Sequence, residues 1–497
     1  MSRLTKSARI YLATGAAAAM VALPTGTGIA QTTPAPAPVQ AISAKDKAEG
    51  AKVHEQLVPE FGGAVTGAHA LYVESVGKRI AVQSGLSNAQ GDFTVTLLNS
   101  PVNNAFAIPG GYIYTTRQLV ALMNNEAELA GVLGHEVGHV AARHSNKRQS
   151  AATKNTIIGV LGTVLSGVLL GNSQIGQMLQ KGFMQGSQLL TLRYSRKQET
   201  ESDKLGIQYL KKAGYDPRAM STVLQSLANQ NALDAKLMGS TNRVPEWAST
   251  HPDPAGRVKT ALTMAGAAAG GTTNRDLFLS KINGITYGDD PVQGIVEGNA
   301  FTHPVEMFYF QAPNGFFLLN GTRAVAISGQ AGKGQLTGAP YSGDLDAYVR
   351  AAFAGLTDKN SPALSPGNVG RTAVNGISAA YATAKVTQSN NSQVDVTVFA
   401  YEFAKDKAFH FVTISPAGGG GVWDPMYGSM RRITAAEAGK VKPRKLAVIA
   451  AKKGDTVQSL STRMAYTSAQ LDRLLVLNGL TASSTIAEGQ RIKLVTY

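Results

Sequence analysis

Cysteine is absent from all 497 residues. Without thiols there is no disulfide scaffold, thiolate zinc ribbon, iron–sulfur cluster or cysteine nucleophile, so any bound metal must be held by His, Asp or Glu. Histidine is scarce too, at eight residues, which keeps the candidate ligand set short. Charged residues make up 16% of the chain and hydrophobic ones 43%, which excludes disorder throughout. At roughly 150 residues per domain the length suggests about three domains. Long apolar runs are also lacking: the stretches 10–23 and 157–170 fall short of the ~20 residues needed to span a bilayer. Acidic groups are in deficit, 32 against 47 basic ones, for a formal charge of +15. Setting aside Arg3, Lys6 and Arg9 of an expected leader leaves +12, which favours anionic partners without naming one.

The first nine residues are basic, the next fourteen mostly apolar, and Thr27-Gly28-Ile29-Ala30 offers small residues at both positions a signal peptidase reads. A cleaved signal peptide is expected over 1–30, followed by a stiff Pro/Ala linker over 31–43, giving an exported, periplasmic product. From 44 to 265 the pattern is mainly helical, interrupted by a strand-like alternation at 93–98 and by a Pro109-Gly110-Gly111 turn between apolar runs. Glycine and alanine crowd 265–272, a boundary signal. Strand-like runs at 315–319, 324–328, 394–403 and 410–415, around a helix over 344–356, indicate a middle α+β domain at 273–440. A last unit occupies 446–497, and the fold class is α+β.

His135-Glu136-Val137-Gly138-His139 sits within a helix-forming run. Residues four apart on a helix are rotated by about 40°, so both imidazoles point the same way and can share one Zn²⁺ while Glu136 lies beside the open coordination position. A catalytic zinc needs a third protein ligand. His144 is nine residues beyond His135, about 180° round an uninterrupted helix, and is expected to be structural or to support a ligand from behind. Better candidates lie on a second helical run, where Glu199 and Asp203 are four apart on one face and Glu201 is turned away by about 200°. One carboxylate can bind metal while the other accepts an N–H from a ligating imidazole.

Asn104-Ala105-Phe106-Ala107, Pro109-Gly110-Gly111, Asn125 to Ala130, the H-E-x-x-H run, Ser195-Arg196, Glu199 to Asp203 and Ala213-Gly214-Tyr215-Asp216-Pro217 appear in an order that resembles peptidase family M48, the BepA-like and HtpX-like zinc metalloproteases. The resemblance covers about 44–265 and implies a helix-rich gluzincin-type domain. It implies one Zn²⁺ held by His135, His139 and Glu199, with Glu136 as general base. It further implies that the strand near Asn103, Asn104, Ala105, Phe106 and Ala107 pairs with an extended substrate, and that His251 and Arg257 lie near the metal in supporting or regulatory roles, as Asp203 does.

Residues 155–180 carry no charged residue, Lys154 and Lys181 being the flanks, and are expected as a helical hairpin over the active site or a membrane-docking element. The end of the chain, with Lys453-Gly454-Asp455-Thr456, Asn478-Gly479 and Glu488-Gly489-Gln490, is similar to a βααβ LysM module. That resemblance implies glycan contacts at Gly454, Asp455, Thr456, Asn478 and Gly479, on a unit separable from catalysis. The expected function is hydrolysis of misfolded or stalled envelope proteins, with unfolded envelope proteins, peptidoglycan and peripheral membrane as partners and no nucleic acid. Alternatives are a cell-wall peptide hydrolase and a latent protease acting as a chaperone.

Overall fold

The computed structural model describes residues 39–144, 194–238, 250–266, 270–356, 364–387 and 392–497. The expected signal peptide at 1–30, most of the linker and the 155–180 stretch lie outside the described residues. Helix α1 (Ala44–Glu60) starts at Ser43, whose hydroxyl accepts the Asp46 N–H at 3.0 Å. Helix α2 (Ala68–Ala81) follows, then strands β1 (Thr94–Leu98), β2 (Ala105–Ile108) and β3 (Tyr112–Thr116). β1 and β3 pair in parallel and β2 with β3 antiparallel, in the order β1-β3-β2, which leaves β2 as an edge strand. The hairpin depends on its glycines. Gly110 has φ of 95°, and a Cβ there would stand 2.5 Å from the Asp46 carbonyl oxygen of α1.

Helices α3 (Arg117–Leu122), α4 (Glu126–Ala141), α5 (Arg196–Lys212), α6 (Ala219–Met238), α7 (Pro254–Ala265) and α8 (Arg275–Ile282) complete the first region. α4 is buried along almost its whole length, from Glu126 to His139. It crosses α5 at close range because both present glycine: a Cβ on Gly134 would meet Gly206 Cα at 3.5 Å, and one on Gly138 would meet the Ser202 carbonyl oxygen at 3.2 Å.

The chain then forms short strands β4 (Thr286–Tyr287), β5 (Ile295–Glu297), β6 (Ala300–His303) and β7 (Phe308–Gln311). Next come β8 (Phe317–Asn320), β9 (Ala324–Gly329), β10 (Gly332–Pro340), helix α9 (Leu345–Ala354), and strands β11 (Gly370–Val374), β12 (Ile377–Thr387), β13 (Gln393–Ala404) and β14 (Lys407–Pro416). β8 to β14 build a seven-stranded sheet in the order β11-β12-β13-β14-β10-β9-β8. α9 covers one face through Tyr348, Val349 and Phe353, while Phe308, Phe310, Phe411 and Trp423 fill the other. The strands expected from alternation are present, each longer or shifted by a residue or two.

Helices α10 (Asp424–Ser429) and α11 (Ala435–Ala438), with strand β15 (Arg431–Arg432) between them, lead to β16 (Arg444–Ala450), α12 (Val457–Ser461), α13 (Gln470–Asn478) and β17 (Arg491–Thr496). This β–α–α–β unit shares an apolar core with the first region. Leu446, Leu460, Leu474, Leu477, Ile492 and Val495 belong to one apolar core with Val120, Leu133, Phe278 and Ile282. β4 adds a third strand to the β16–β17 pair. The physical reason is size: a unit of some fifty residues buries too little apolar surface by itself, and here α3, α6 and α8 cover its open side.

Candidate metal centre

Asn125 caps α4 by accepting the Glu128 N–H at 2.9 Å, and the helix then carries His135, Glu136 and His139 into the core. Ser195 and Gln198 form a capping box at the start of α5, which leaves Glu199 in the first turn, where the helix dipole favours its negative charge. His251 enters from the segment before α7. Asp253 caps α7 from a left-handed backbone conformation with φ of 60°, and Pro254 follows it.

These elements bring four buried side chains together: His135, His139, Glu199 and His251 each offer a ligand atom, all within 4.8 Å of one another. His139 Nε2 lies 3.0 Å from His135 Nε2 and 3.3 Å from Glu199 Oε1. His251 Nδ1 lies 3.4 Å from His135 Nε2 and 3.2 Å from Glu199 Oε1, and His135 Nε2 lies 3.6 Å from Glu199 Oε2. A tetrahedral ion with bonds of ~2.0–2.1 Å has ligand–ligand edges of about 3.3 Å, so the donor set fits a small four-coordinate cation in both chemistry and spacing.

Around this cluster Asp203 Oδ1 is 2.9 Å from His135 Nδ1. Arg257 Nη2 and Nε donate to the two oxygens of Asp203 at 2.6 and 2.8 Å, and its Nη1 donates to Glu199. Burial opposes ionisation of Glu199, but the charge and hydrogen bonds of His251, His135 and His139 outweigh it and hold the carboxyl far below its ordinary range. Burial pushes His139 well below the usual histidine value, towards the neutral, ligating form. Glu136 is pushed up to about 8, chiefly by burial, against the pull of His251. Its Oε1 has no hydrogen-bond partner among the described residues and stands 3.5 Å from His251 Nε2.

Two features escaped sequence reasoning. Tyr194 stacks on His139, with ring centroids 3.6 Å apart and 18° between planes. His144 is not on the far side of an uninterrupted helix: α4 ends at Ala141, Arg143 adopts φ of 55°, and the reversed chain sets His144 Nδ1 2.9 Å from His139 Nδ1. Glu201 is turned away from the cluster, and its Oε2 lies 3.2 Å from His144 Nε2.

Of the strand residues, Ala105 and Ala107 are buried in β2 under α4, and Phe106 stacks on Tyr114 of β3 on the opposite face, at 4.7 Å. Asn103 is half-buried just ahead of β2, and Asn104 is buried, its N–H donated to Thr116 Oγ1 at 3.2 Å. In the C-terminal unit Gly454 and Thr456 are exposed, and Asp455 accepts the Lys452 N–H at 2.8 Å. Asn478 is buried. Its amide donates to the carbonyls of Leu474 and Lys493 at 3.0 and 2.9 Å and accepts the Lys493 N–H at 2.8 Å, which commits it to the core. Gly479 ends α13 at φ of 63° and faces the first region, where a Cβ would lie 3.7 Å from Asn124 Nδ2.

No described helix is long and apolar enough to cross a membrane. The model of peptidase family M48 matches residues 68–265. Over 197 residues the chain is 33% identical to the beta-barrel assembly-enhancing protease of Yersinia pestis, covering 39% of this chain and 38% of that one. The protein of the same name from Escherichia coli K12 is 32% identical over 197 residues, with the same shares. The mitochondrial metalloendopeptidase OMA1 of Schizosaccharomyces pombe is 30% identical over 209 residues, 41% of this chain and 57% of that one. The chain thus spans 38% of the length of the first two relatives. The matched segment contains every member of the buried cluster, so the likeness to peptidase family M48, and to relatives that include a mitochondrial metalloendopeptidase, covers the whole candidate metal centre.

Proposed function

We propose that this protein is an exported zinc endopeptidase of the cell envelope. The observation that carries the reading is the set of four buried donors at tetrahedral spacing, with Glu136 beside it. His135, His139 and Glu199 would hold the metal. Bound there, zinc supplies electrophilic polarisation of the scissile carbonyl and acidifies the attacking water. Glu136 takes the proton of that water on a carboxylate oxygen and passes it to the leaving amine. Asp203 fixes the ring of His135 through Nδ1, and Arg257 offsets the buried charge of Asp203 and Glu199. The edge of β2, unpaired among the described residues, is available for an extended peptide to add as a further strand, a mode that reads backbone first and suits unfolded chains.

Misfolded or stalled envelope proteins are the proposed substrates, with quality control as the task and the periplasm as the location; the naming of the bacterial relatives for β-barrel assembly supports this. The C-terminal β–α–α–β unit is read as a LysM-like module whose exposed Gly454 and Thr456 turn, with basic Lys452 and Lys453 beside it, meets peptidoglycan or an anionic membrane surface. Metal analysis of purified protein tests the centre. Glu199→Ala should lose zinc while Glu201→Ala retains stoichiometric metal, and equal occupancy in the two would refute the ligand assignment.

His251 supports a second reading, latency. Its Nδ1 lies at ligand spacing from the other three donors, so it would fill the fourth position that hydrolysis needs open. His251→Ala should then raise basal casein cleavage with zinc content intact. Lowered cleavage would instead make His251 a stabiliser of the transition state, and unchanged cleavage would remove both roles.

A further inference from the structure

The three imidazoles of the cluster are supported differently. His135 has a carboxylate, Asp203, directly on its second ring nitrogen, whereas His139 has another histidine, His144, at 2.9 Å between Nδ1 atoms. Two ring nitrogens at that distance share one proton, and the surroundings decide which carries it. His139 Nε2 points at His135 Nε2 and Glu199 Oε1, so as a metal ligand it presents a lone pair and its proton resides on Nδ1. His139 Nδ1–H therefore donates, and His144 Nδ1 accepts. That places the His144 proton on Nε2, where Glu201 Oε2 waits at 3.2 Å. Ser202 Oγ, 3.4 Å from His144 Nδ1, is on the accepting side of the same ring.

We infer that His144 is the positioning residue of His139, linking it in a directed chain, His139 Nδ1–H to His144 Nδ1 and His144 Nε2–H to Glu201, that fixes the ligand's tautomer and ring orientation. This rests on the reading of His139 as a metal ligand. The arrangement has a physical motive. Glu136, Glu199 and Asp203 are already buried in the site, and Arg257 is the cation bonded to the last two. A carboxylate placed directly on His139 would add another buried anion. An imidazole spacer lets a half-exposed carboxylate, whose side chain is 47% accessible, act from the rim, while His144 itself is fully buried. The turn at Arg143 is the structural device that makes this possible, since a continuing helix would carry His144 to the far side.

The test uses the full chain in a Glu136→Gln background, which prevents self-digestion, and reads zinc affinity by chelator competition. Because supporting partners of ligating histidines typically contribute about 10–100-fold in metal affinity, His144→Ala should weaken zinc by about that factor. His144→Asn, whose side-chain oxygen sits where Nδ1 was and can accept the same proton, should recover most of it. Glu201→Ala, at a half-exposed position that does not endanger folding, should weaken binding by about three- to ten-fold without losing stoichiometric occupancy, and Glu201→Gln by less. Nitrogen NMR of histidine-labelled zinc protein should find the His144 proton on Nε2.

A proton on His144 Nδ1, or His144→Ala and Glu201→Ala both binding as the parent, would overturn the chain of donors. Loss of affinity that Asn fails to rescue would reduce His144 to a packing role. A parent protein that binds no zinc would overturn the metal reading and this inference with it. Zinc binding that His139→Ala abolishes and His144→Ala leaves intact would refute the positioning role alone.

Discussion

Lys493 is the residue whose replacement should reveal most about how the helix carrying His135 and His139 is held. It is fully buried on β17, and its Nζ donates to the carbonyl oxygens of Ala121, Leu122 and Met123 at 2.8, 3.0 and 2.6 Å. Those carbonyls end α3, immediately before α4. Three acceptors match the three protons of an ammonium. Burial pulls its pKa well below the ordinary lysine value, against the opposing charge of Glu128, which sits buried in the first turn of α4. Lys493→Met keeps the apolar stem and removes only the charge. Three charge-assisted hydrogen bonds at ~1.5–3 kcal/mol each set an upper bound of about 9 kcal/mol. Relaxation of the carbonyls and protonation of Glu128 reduce this, and breaking one side of a buried charge pair typically costs about 3–5 kcal/mol, which is the expected loss. Against a domain stability of ~5–15 kcal/mol this is a large fraction. Urea unfolding followed by circular dichroism measures it, and adding Glu128→Gln should recover about 1–3 kcal/mol of coupling. A loss for Lys493→Met below about 1 kcal/mol would refute the claim that this contact secures the approach to α4.

Glu136→Gln should retain zinc while casein cleavage falls by at least about 10²-fold, since general-base contributions are of that order; cleavage at the parent rate would remove Glu136 from the mechanism. Arg257→Met strips the guanidinium from Glu199 and Asp203, and chelator-treated protein should lose about 3–5 kcal/mol in thermal or urea unfolding; a change below about 1 kcal/mol would show that these carboxylates do not need it. His410 of the middle sheet, buried with Tyr348 Oη at 2.9 Å from its Nδ1, is pushed down to about 4 by burial. The folded state therefore binds this proton later than the unfolded chain, whose value is ~6.5, so the stability is fully present above that pH and is lost on acidification towards 4, by on the order of 3 kcal/mol. His410→Leu should flatten that slope, and an unchanged slope between pH 6.5 and 4.5 would remove His410 as its source.

The helix carrying His135 and His139, and the face shared by Glu199 and Asp203, were legible because ligand spacing and helical period coincide: four residues is close to one turn. β2 and β3 were legible from the Pro109-Gly110-Gly111 turn. What period alone could not supply is where a helix stops. Arg143 is an unusual residue for a left-handed turn, and with no Gly or Asn to mark it the reversal that returns His144 to His139 left no sequence signal. The burial of Asn478 and Lys493 was hidden for a different reason. Asn478 belongs to a set of polar residues that the resemblance reads as a glycan site, and its bonds to Leu474 and Lys493 turn it inward, while Lys493 is drawn in by the carbonyls that end α3. The glycine-rich stretch at 265–272 marks a change of composition, while α8 and β4 beyond it still pack with the first region.

A spacing of four recurs in three places, and their combination explains how a five-residue motif becomes a site. His135 and His139 set the ligand face of α4, Glu199 and Asp203 set the answering face of α5, and Gly134 and Gly138 lie one residue before each histidine. The glycines are not ligands, yet the distances depend on them. A Cβ on Gly138 would press on the Ser202 carbonyl oxygen at 3.2 Å and on Leu205 at 3.3 Å, and a Cβ on Gly206 would stand 3.1 Å from His135 N. Contacts that tight are relieved by separating the helices by a few tenths of an ångström. Glu199 answers both histidines from α5, at 3.6 and 3.3 Å, so any such separation is transmitted directly to the ligand edges. Separating the helices would also stretch the Asp203 contact to His135, at 2.9 Å, because it spans the same two helices. The close crossing therefore serves the candidate ligand and its supporting carboxylate at once, and the glycines that precede the two histidines belong to the centre as much as the groups that would touch the ion.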